Sequence, residues 1–199
     1  MIKFFWCPQT RSSRILWMLN ELGQPFERIL TDIRTDRSSF DPEFAVASPM
    51  GKVPAIADGE VRMADSAAIG LYLADRYPAA GLAPAISDDD RGQYLYWMVF
   101  TPGVIEPAMS ERVSGHEPKP QTNGWGSFDS MLATLRKGIA DGPWLLGDDF
   151  SAADVMVGSS VCFMKMFNML PTDPLIDAYA DRCMQREAYQ RAMAAESGD

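Results

Sequence analysis

The stretch of residues 48–75 constrains the fold more than any other part of the chain, and it reads SPMGKVPAIADGEVRMADSAAIGLYLAD. It predicts a short apolar strand over residues 54–57, where a proline at the first strand position removes no ladder hydrogen bond. Asp58-Gly59 predicts a tight hairpin turn into a second strand over residues 60–63. The ADS segment then begins a helix with apolar residues on one face. This stretch therefore predicts a β-hairpin that leads into a capped helix.

The preceding residues complete an α/β pattern. Apolar runs indicate strands over residues 2–6 and 26–30. Helical spacing between them predicts a helix over residues 12–22, which Gly23 ends. The order strand–helix–strand followed by strand–strand–helix predicts a mixed sheet with helices on both faces.

Beyond residue 77 the pattern changes to helices. The prolines and glycine of residues 78–84 indicate a linker, and residues 85–199 show no convincing strand alternation. Ser151 and Asp154 have the S-x-x-D spacing of a capping box at the start of an apolar helix. We therefore predict an all-helical second domain with a structural, non-catalytic cap.

Composition excludes several function classes. A formal net charge of −9 argues against nucleic-acid binding. No uncharged run reaches the roughly 18 residues that span a bilayer, and the first residues lack a signal-peptide core. We therefore expect a cytoplasmic protein without a membrane partner. Three widely spaced cysteines and the single histidine, His116, predict neither a disulfide framework nor a metal site.

In order and spacing, the GKVP, ADSAAI and FSAADV segments and Pro78 resemble the glutathione S-transferase family, over essentially the whole chain. The resemblance is to cytosolic, bacterial-type members with a serine or threonine in the first turn. It implies a thioredoxin-like glutathione-binding domain over residues 1–77, a linker over 78–84 and an all-helical domain over 85–199 that contributes the electrophile site. It also implies a homodimer that uses glutathione as co-substrate in detoxification. The expected reaction is attack of the glutathione thiolate on small apolar electrophiles.

The resemblance further implies a set of glutathione contacts. Val53, which precedes what should be a cis peptide bond to Pro54, is expected to pair its backbone with the cysteinyl amide. Asp65 and Ser66 are expected to hold the γ-glutamyl group. Lys52 is placed to meet the glycyl carboxylate or the γ-glutamyl region.

Three residues are candidates for the contact with the glutathione thiol: Thr10, Ser12 and Cys7. A free thiol has a pKa of about 8.5 and reacts as the thiolate, so a hydroxyl donor is expected on the turn after the first strand. Counting back from Arg14, as in the serine-type classes, gives Thr10, and Ser12 is the next candidate. Both hydroxyls could instead cap the helix. Cys7-Pro8 resembles the omega-class turn, whose cysteine forms a mixed disulfide with glutathione, so a cysteine-type thiol transferase stays an alternative.

Two further points are left open by the sequence. One is whether the chain conjugates glutathione or is a transferase-like binding or interaction protein without conjugating activity. The other is the electrophile site, because its candidate residues have the spacing of a core face as well. Those candidates are Tyr94, Trp97, Met98, Thr101, Ile105 and Met109.

Overall fold

The computed structural model describes residues 1–197, which contain one four-stranded sheet and a series of helices. In chain order the labelled elements are β1 (Ile2–Trp6), α1 (Ser12–Leu22), β2 (Phe26–Leu30), α2 (Pro42–Ala47), β3 (Ala55–Asp58), β4 (Val61–Ala64), α3 (Ser66–Arg76), α4 (Arg91–Phe100), α5 (Glu106–Ser114), α6 (Phe128–Gly138), α7 (Ala152–Met166), α8 (Pro174–Gln185) and α9 (Glu187–Ser197). They form two compact units: residues 1–80 with 187–197, and residues 81–186.

The sheet of the first unit has the strand order β2-β1-β3-β4. β1 pairs in parallel with β2 and antiparallel with β3, and β3 and β4 form an antiparallel hairpin. The predicted mixed sheet in an α/β unit is therefore confirmed. Phe4 and Phe5 of β1 are buried, as are Ile15 and Leu19 of α1. Gly23 ends α1 with φ +68°, as predicted.

The predicted hairpin is present with both strands one residue later than expected. The strands cover Ala55–Asp58 and Val61–Ala64. Gly59 has φ +58°, so the turn lies at residues 59 and 60 and not at Asp58-Gly59. The two-residue turn therefore leaves Asp58 paired with Val61.

The last helix belongs to the first unit. The predicted helical domain over residues 85–199 included it, whereas in the structure α9 packs on α1. The rings of Trp17 and Tyr189 lie 5.0 Å apart in an edge-to-face arrangement. Ala188, Tyr189 and Ala192 of α9 are buried. Burial of this apolar face within the first unit is the physical reason for the placement of α9.

The second unit is all-helical, as predicted. Residues 91–114 form α4, a π-helical segment (Thr101–Ile105) and α5. Pro102 lies in that segment, where the wider turn accommodates a residue without a backbone N–H. Tyr94 and Trp97 of α4 are buried within the unit.

The capping box at the start of α7 is confirmed. The Ser151 N–H donates to Asp154 Oδ2 at 3.0 Å, and the Ala153 N–H donates to Ser151 Oγ at 3.2 Å. Asp154 Oδ1 also accepts from the Leu145 N–H and the Tyr179 hydroxyl, each at 3.0 Å. Burial raises the pKa of the Asp154 carboxyl to about 6, although these hydrogen bonds oppose the shift.

Candidate functional site

Thr10 and Ser12, the two predicted hydroxyl residues, form hydrogen bonds within the turn between β1 and α1. Thr10 Oγ1 donates to the Cys7 carbonyl at 2.6 Å. Ser12 Oγ lies 3.0 Å from Thr10 Oγ1 and accepts from the Cys7 N–H at 3.3 Å. The Ser12 N–H donates to Thr10 Oγ1 at 3.2 Å. Thr10 and Ser12 therefore stabilise the turn as a pair.

These two hydroxyls differ in their access to solvent. Ser12 is fully enclosed, with 0% of its surface exposed. Thr10 is half-buried, next to Gln9, which is exposed and has a φ of +57°. Of the two predicted candidates, Thr10 is the one that a molecule at the surface of the turn can reach.

Cys7, the alternative thiol residue, points into the first unit. Its side chain is 1% exposed and belongs to a hydrophobic cluster with Phe5, Phe44 and Val53. One polar contact reaches its sulfur: Arg34 Nη1 donates to Cys7 Sγ at 3.0 Å. No local sequence pattern indicates this contact, because Arg34 lies in a polar loop 27 residues away.

The segment before the hairpin is fixed by a side chain that sequence reasoning also missed. Ser48 Oγ accepts from the Lys52 N–H at 2.9 Å and donates to the Lys52 carbonyl at 2.7 Å. Gly51 has φ +62°, and a Cβ there would lie 3.0 Å from the Phe40 ring. The backbone of this segment is therefore held in place while the Lys52 side chain is exposed.

The peptide bond between Val53 and Pro54 is cis, as predicted. The β1–β3 ladder begins at Ala55, which pairs with Phe5. Throughout residues 1–197, no backbone hydrogen bond reaches the N–H or the C=O of Val53. The Val53 N–H and C=O are therefore free to pair with the backbone of an extended ligand.

Asp65 and Ser66 form the N-terminus of α3. Asp65 has φ +78° and exposes its side chain, and its Oδ1 accepts from the Ala67 and Ala68 N–H groups at 3.0 and 3.4 Å. Ser66 is the first helical residue and is 7% exposed. Its hydroxyl makes no hydrogen bond within the described part of the chain. The Ser66 hydroxyl and the Ser66 N–H are the donors that this helix start offers to an anion such as a carboxylate.

The sheet register brings Thr10, Val53 and Ser66 to the same end of the sheet in the first unit. Phe5 of β1 pairs with Ala55 of β3, and Ala55 pairs with Ala64 of β4. The C-terminal end of β1, the N-terminal end of β3 and the C-terminal end of β4 therefore lie side by side. Thr10 follows the end of β1, Val53 precedes the start of β3, and Ser66 follows the end of β4.

Two features are absent from residues 1–197. No three His, Cys, Asp or Glu side chains lie close enough together to hold a metal ion. No helix in this range is long and apolar enough to cross a membrane.

Comparisons with known proteins agree with this arrangement. The family model described as Glutathione S-transferase, N-terminal domain matches residues 6–76, and Glutathione S-transferase, C-terminal domain matches residues 106–165. Disulfide-bond oxidoreductase YfcG of Escherichia coli (strain K12) is 27% identical, over 100% of this chain and 98% of its own.

Solved structures extend the likeness to the fold. A glutathione transferase from Methylococcus capsulatus str. Bath superposes with a TM-score of 0.82 at 28% identity, covering 100% of both chains. A sphingomonad glutathione S-transferase complexed with glutathione gives a TM-score of 0.77 at 30% identity, covering 98% of both chains. On the match of both domains and these full-length likenesses, the chain belongs to the glutathione S-transferase family.

Proposed function

We propose that the protein is a glutathione transferase that ionises the glutathione thiol for attack on small apolar electrophiles. One observation carries the proposal: the Val53 backbone, the Ser66 hydroxyl and the Thr10 turn lie at the same end of the sheet. The Val53 N–H and C=O have no backbone hydrogen bond, and the Ser66 hydroxyl has no partner, within residues 1–197. An extended tripeptide with a carboxylate at its γ-glutamyl end fits this set of groups.

Each part of glutathione has a partner in this proposal. The cysteinyl N–H and C=O pair with the free backbone of Val53, beside Pro54. The γ-glutamyl carboxylate accepts from the Ser66 hydroxyl and the Ser66 N–H at the start of α3. Asp65 faces the γ-glutamyl ammonium with its second carboxylate oxygen, because its Oδ1 caps the helix. The exposed Lys52 side chain meets the glycyl carboxylate.

Thr10 is the proposed donor to the glutathione sulfur. Its proton is directed at the Cys7 carbonyl at 2.6 Å, so it must turn towards the sulfur when glutathione binds. A neutral hydrogen bond contributes about 0.5–1.5 kcal/mol, whereas one to a charged group contributes about 1.5–3 kcal/mol. Exchanging the hydrogen bond to the Cys7 carbonyl for one to a charged sulfur therefore favours the thiolate form of glutathione. Ser12 is enclosed and keeps a supporting role within the turn.

The electrophile is proposed to be small and apolar, without a named substrate. Five of the candidate residues, Tyr94, Trp97, Met98, Thr101 and Ile105, are at most 2% exposed within the second unit. Burial of this kind supports their role as core residues. Met109 of α5 is the one member of the predicted set that is partly exposed.

We also propose a homodimer in which α4 of one copy meets the α/β unit of the other. The outer face of α4 exposes Leu95 by 41%, Tyr96 by 45% and Val99 by 53%. The α/β unit exposes Val46 by 66% and Met50 by 72%. Apolar side chains exposed on both elements support a contact that covers them. Sedimentation at micromolar concentration tests it, and a monomer would contradict it.

Thr10→Val tests the proposed chemistry, because it keeps the shape of the side chain and removes the donor. We expect conjugation near neutral pH to fall roughly ten- to a hundredfold, from a loss of about 1.5–3 kcal/mol. The deficit should shrink above the free thiol pKa of about 8.5, where ionisation needs no help. Steady-state assays with several electrophiles, beside calorimetry with glutathione, measure both effects.

The cysteine-type alternative gives the opposite pattern. If Cys7 carried the chemistry, Cys7→Ala would inactivate the protein in every assay and Thr10→Val would be silent. If the wild type binds glutathione but conjugates none of the electrophiles, the chain is a transferase-like binding protein instead.

A further inference from the structure

The Arg34 guanidinium, on the loop after β2, contacts the turn between β1 and α1. The Thr31 N–H donates to the Trp6 carbonyl at 2.8 Å, which ties the end of β2 to the end of β1. Asp32 then forms a tight turn, because its Oδ1 accepts from the Arg34 N–H at 3.0 Å and its carbonyl accepts from Thr35 Oγ1 at 2.7 Å. This turn fixes the backbone from which the Arg34 side chain extends.

Arg34 reaches two groups of the turn that carries Thr10. Its Nη1 donates to Cys7 Sγ at 3.0 Å, and its Nη2 lies 3.5 Å from the Pro8 carbonyl. Cys7 is 1% exposed and belongs to the hydrophobic cluster with Phe5 and Phe44. The Arg34 side chain is 59% exposed. The guanidinium thus lies on the solvent side of a sulfur that is otherwise surrounded by apolar side chains.

We propose that Arg34 is a positioning residue that shields Cys7 from thiol and disulfide reagents and thereby leaves the glutathione sulfur to Thr10. The claim that the glutathione sulfur is left to Thr10 rests on the proposed function. The claim that Arg34 shields Cys7 concerns the accessibility of one sulfur, and it is tested without glutathione.

Two effects of the guanidinium oppose each other. A neighbouring cation makes a cysteine a better nucleophile, whereas enclosure keeps reagents away from it. The charge effect is small here, because the Arg34 side chain is largely exposed and Asp32 Oδ1 lies 3.9 Å from Nη1. Enclosure is nearly complete at 1% exposure. Shielding is therefore the larger effect, and removing the guanidinium should increase the reactivity of Cys7.

Alkylation of Cys7 by iodoacetamide, read by peptide mass spectrometry in the absence of glutathione, tests the shielding. Arg34→Met keeps the apolar stem and should speed alkylation of Cys7 at least about tenfold. Arg34→Lys keeps a donor on a stem of similar length and should restore most of the protection. The matched control is Arg37→Met in the same loop, because Arg37 donates to the Met50 carbonyl and not to the sulfur. It should leave the rate unchanged.

Local exposure must be distinguished from unfolding. Cys162 and Cys183 are buried in the second unit, so their alkylation reports opening there, and the melting temperature reports the rest. In Arg34→Met both should match the wild type. The proposal is wrong if Cys7 reacts no faster in Arg34→Met, or if it reacts faster only together with a lowered melting temperature and faster labelling of the other two cysteines.

Glutathione disulfide provides a second readout. The Cys7 thiol loses its proton to water, and its sulfur attacks one sulfur of the disulfide. A bond forms to that glutathionyl group, the S–S bond of glutathione disulfide breaks, and the other half leaves as glutathione thiolate. Arg34→Met should acquire one glutathionyl group on Cys7 under conditions in which the wild type stays unmodified. A wild type that is modified at the same rate would overturn the shielding role, whereas a failure of Thr10→Val to slow conjugation would overturn the proposed function alone.

Discussion

The N-termini of α3 and α7 each carry a serine and an aspartate, but the two termini are built in different ways. At α7, Ser151 and Asp154 bond each other's backbone, are buried and receive further donors from Leu145 and Tyr179. At α3, Asp65 is exposed with φ +78°, and the Ser66 hydroxyl makes no hydrogen bond within residues 1–197.

The difference separates a structural cap from a ligand site. Every helix N-terminus has unsatisfied N–H groups, and a capping box satisfies them from within the chain. At the α3 terminus Asp65 Oδ1 accepts from the Ala67 and Ala68 N–H groups, but the Ser66 hydroxyl and N–H have no partner within residues 1–197. Asp65 also lies in a backbone region that costs on the order of 1–3 kcal/mol. Such strain concentrates at ligand clamps. The closed terminus serves stability, and we infer that the open one serves glutathione.

The largest expected effect is that of Asp154→Ala on stability. The change leaves the Leu145 N–H, the Ser151 N–H and the Tyr179 hydroxyl without their acceptor inside the protein. We expect the free energy of unfolding to fall by at least about 3 kcal/mol in urea titrations. Asp65→Ala, the matched change at the open terminus, should cost only about 0.5–2 kcal/mol. Equal losses would remove the distinction between the two termini.

The pH dependence of stability sharpens the same contrast. Burial raises the folded-state pKa of Asp154 to about 6 from an ordinary value of 3.8. Its contribution to stability is therefore fully present below about pH 4 and is lost as the pH rises through about 6. The advantage of the wild type over Asp154→Asn should shrink by roughly 2–3 kcal/mol between pH 4 and 7. An advantage that grows with pH would mean that the hydrogen bonds outweigh burial.

Ser66→Ala should separate binding from stability. Removing one hydroxyl that meets a carboxylate should weaken glutathione affinity roughly tenfold in calorimetry. The free energy of unfolding should change by less than about 0.5 kcal/mol, because the hydroxyl has no partner in the free protein. Ser151→Ala is the control and should do the reverse, lowering stability and leaving affinity unchanged. The contrast fails if both variants alter the same quantity.

The smallest effect is expected at Lys52. An exposed ion pair contributes about 0.2–1 kcal/mol, so Lys52→Met should weaken glutathione binding by less than about fivefold. Salt should remove most of the difference, because exposed charges are screened. A loss larger than that of Ser66→Ala, persisting at high salt, would place the main anion contact at Lys52 and not at α3.

The features that the sequence predicted rest on local rules. The hairpin, the cis Val53–Pro54 bond and the capping box each depend on a few neighbouring residues. The packing of α9 on α1 depends on a contact between Trp17 and Tyr189, which no local pattern indicates. The same holds for the Arg34 contact with Cys7 and for the enclosure of Ser12, since burial is decided by the tertiary fold.

A crystal structure of the protein with bound glutathione tests the central claim most directly. We expect the cysteinyl backbone to pair with the N–H and C=O of Val53 and the γ-glutamyl carboxylate to accept from the Ser66 hydroxyl. The sulfur should lie within hydrogen-bond distance of Thr10 Oγ1. A tripeptide bound away from the α3 N-terminus, or a sulfur bonded to Cys7 Sγ, would contradict the account.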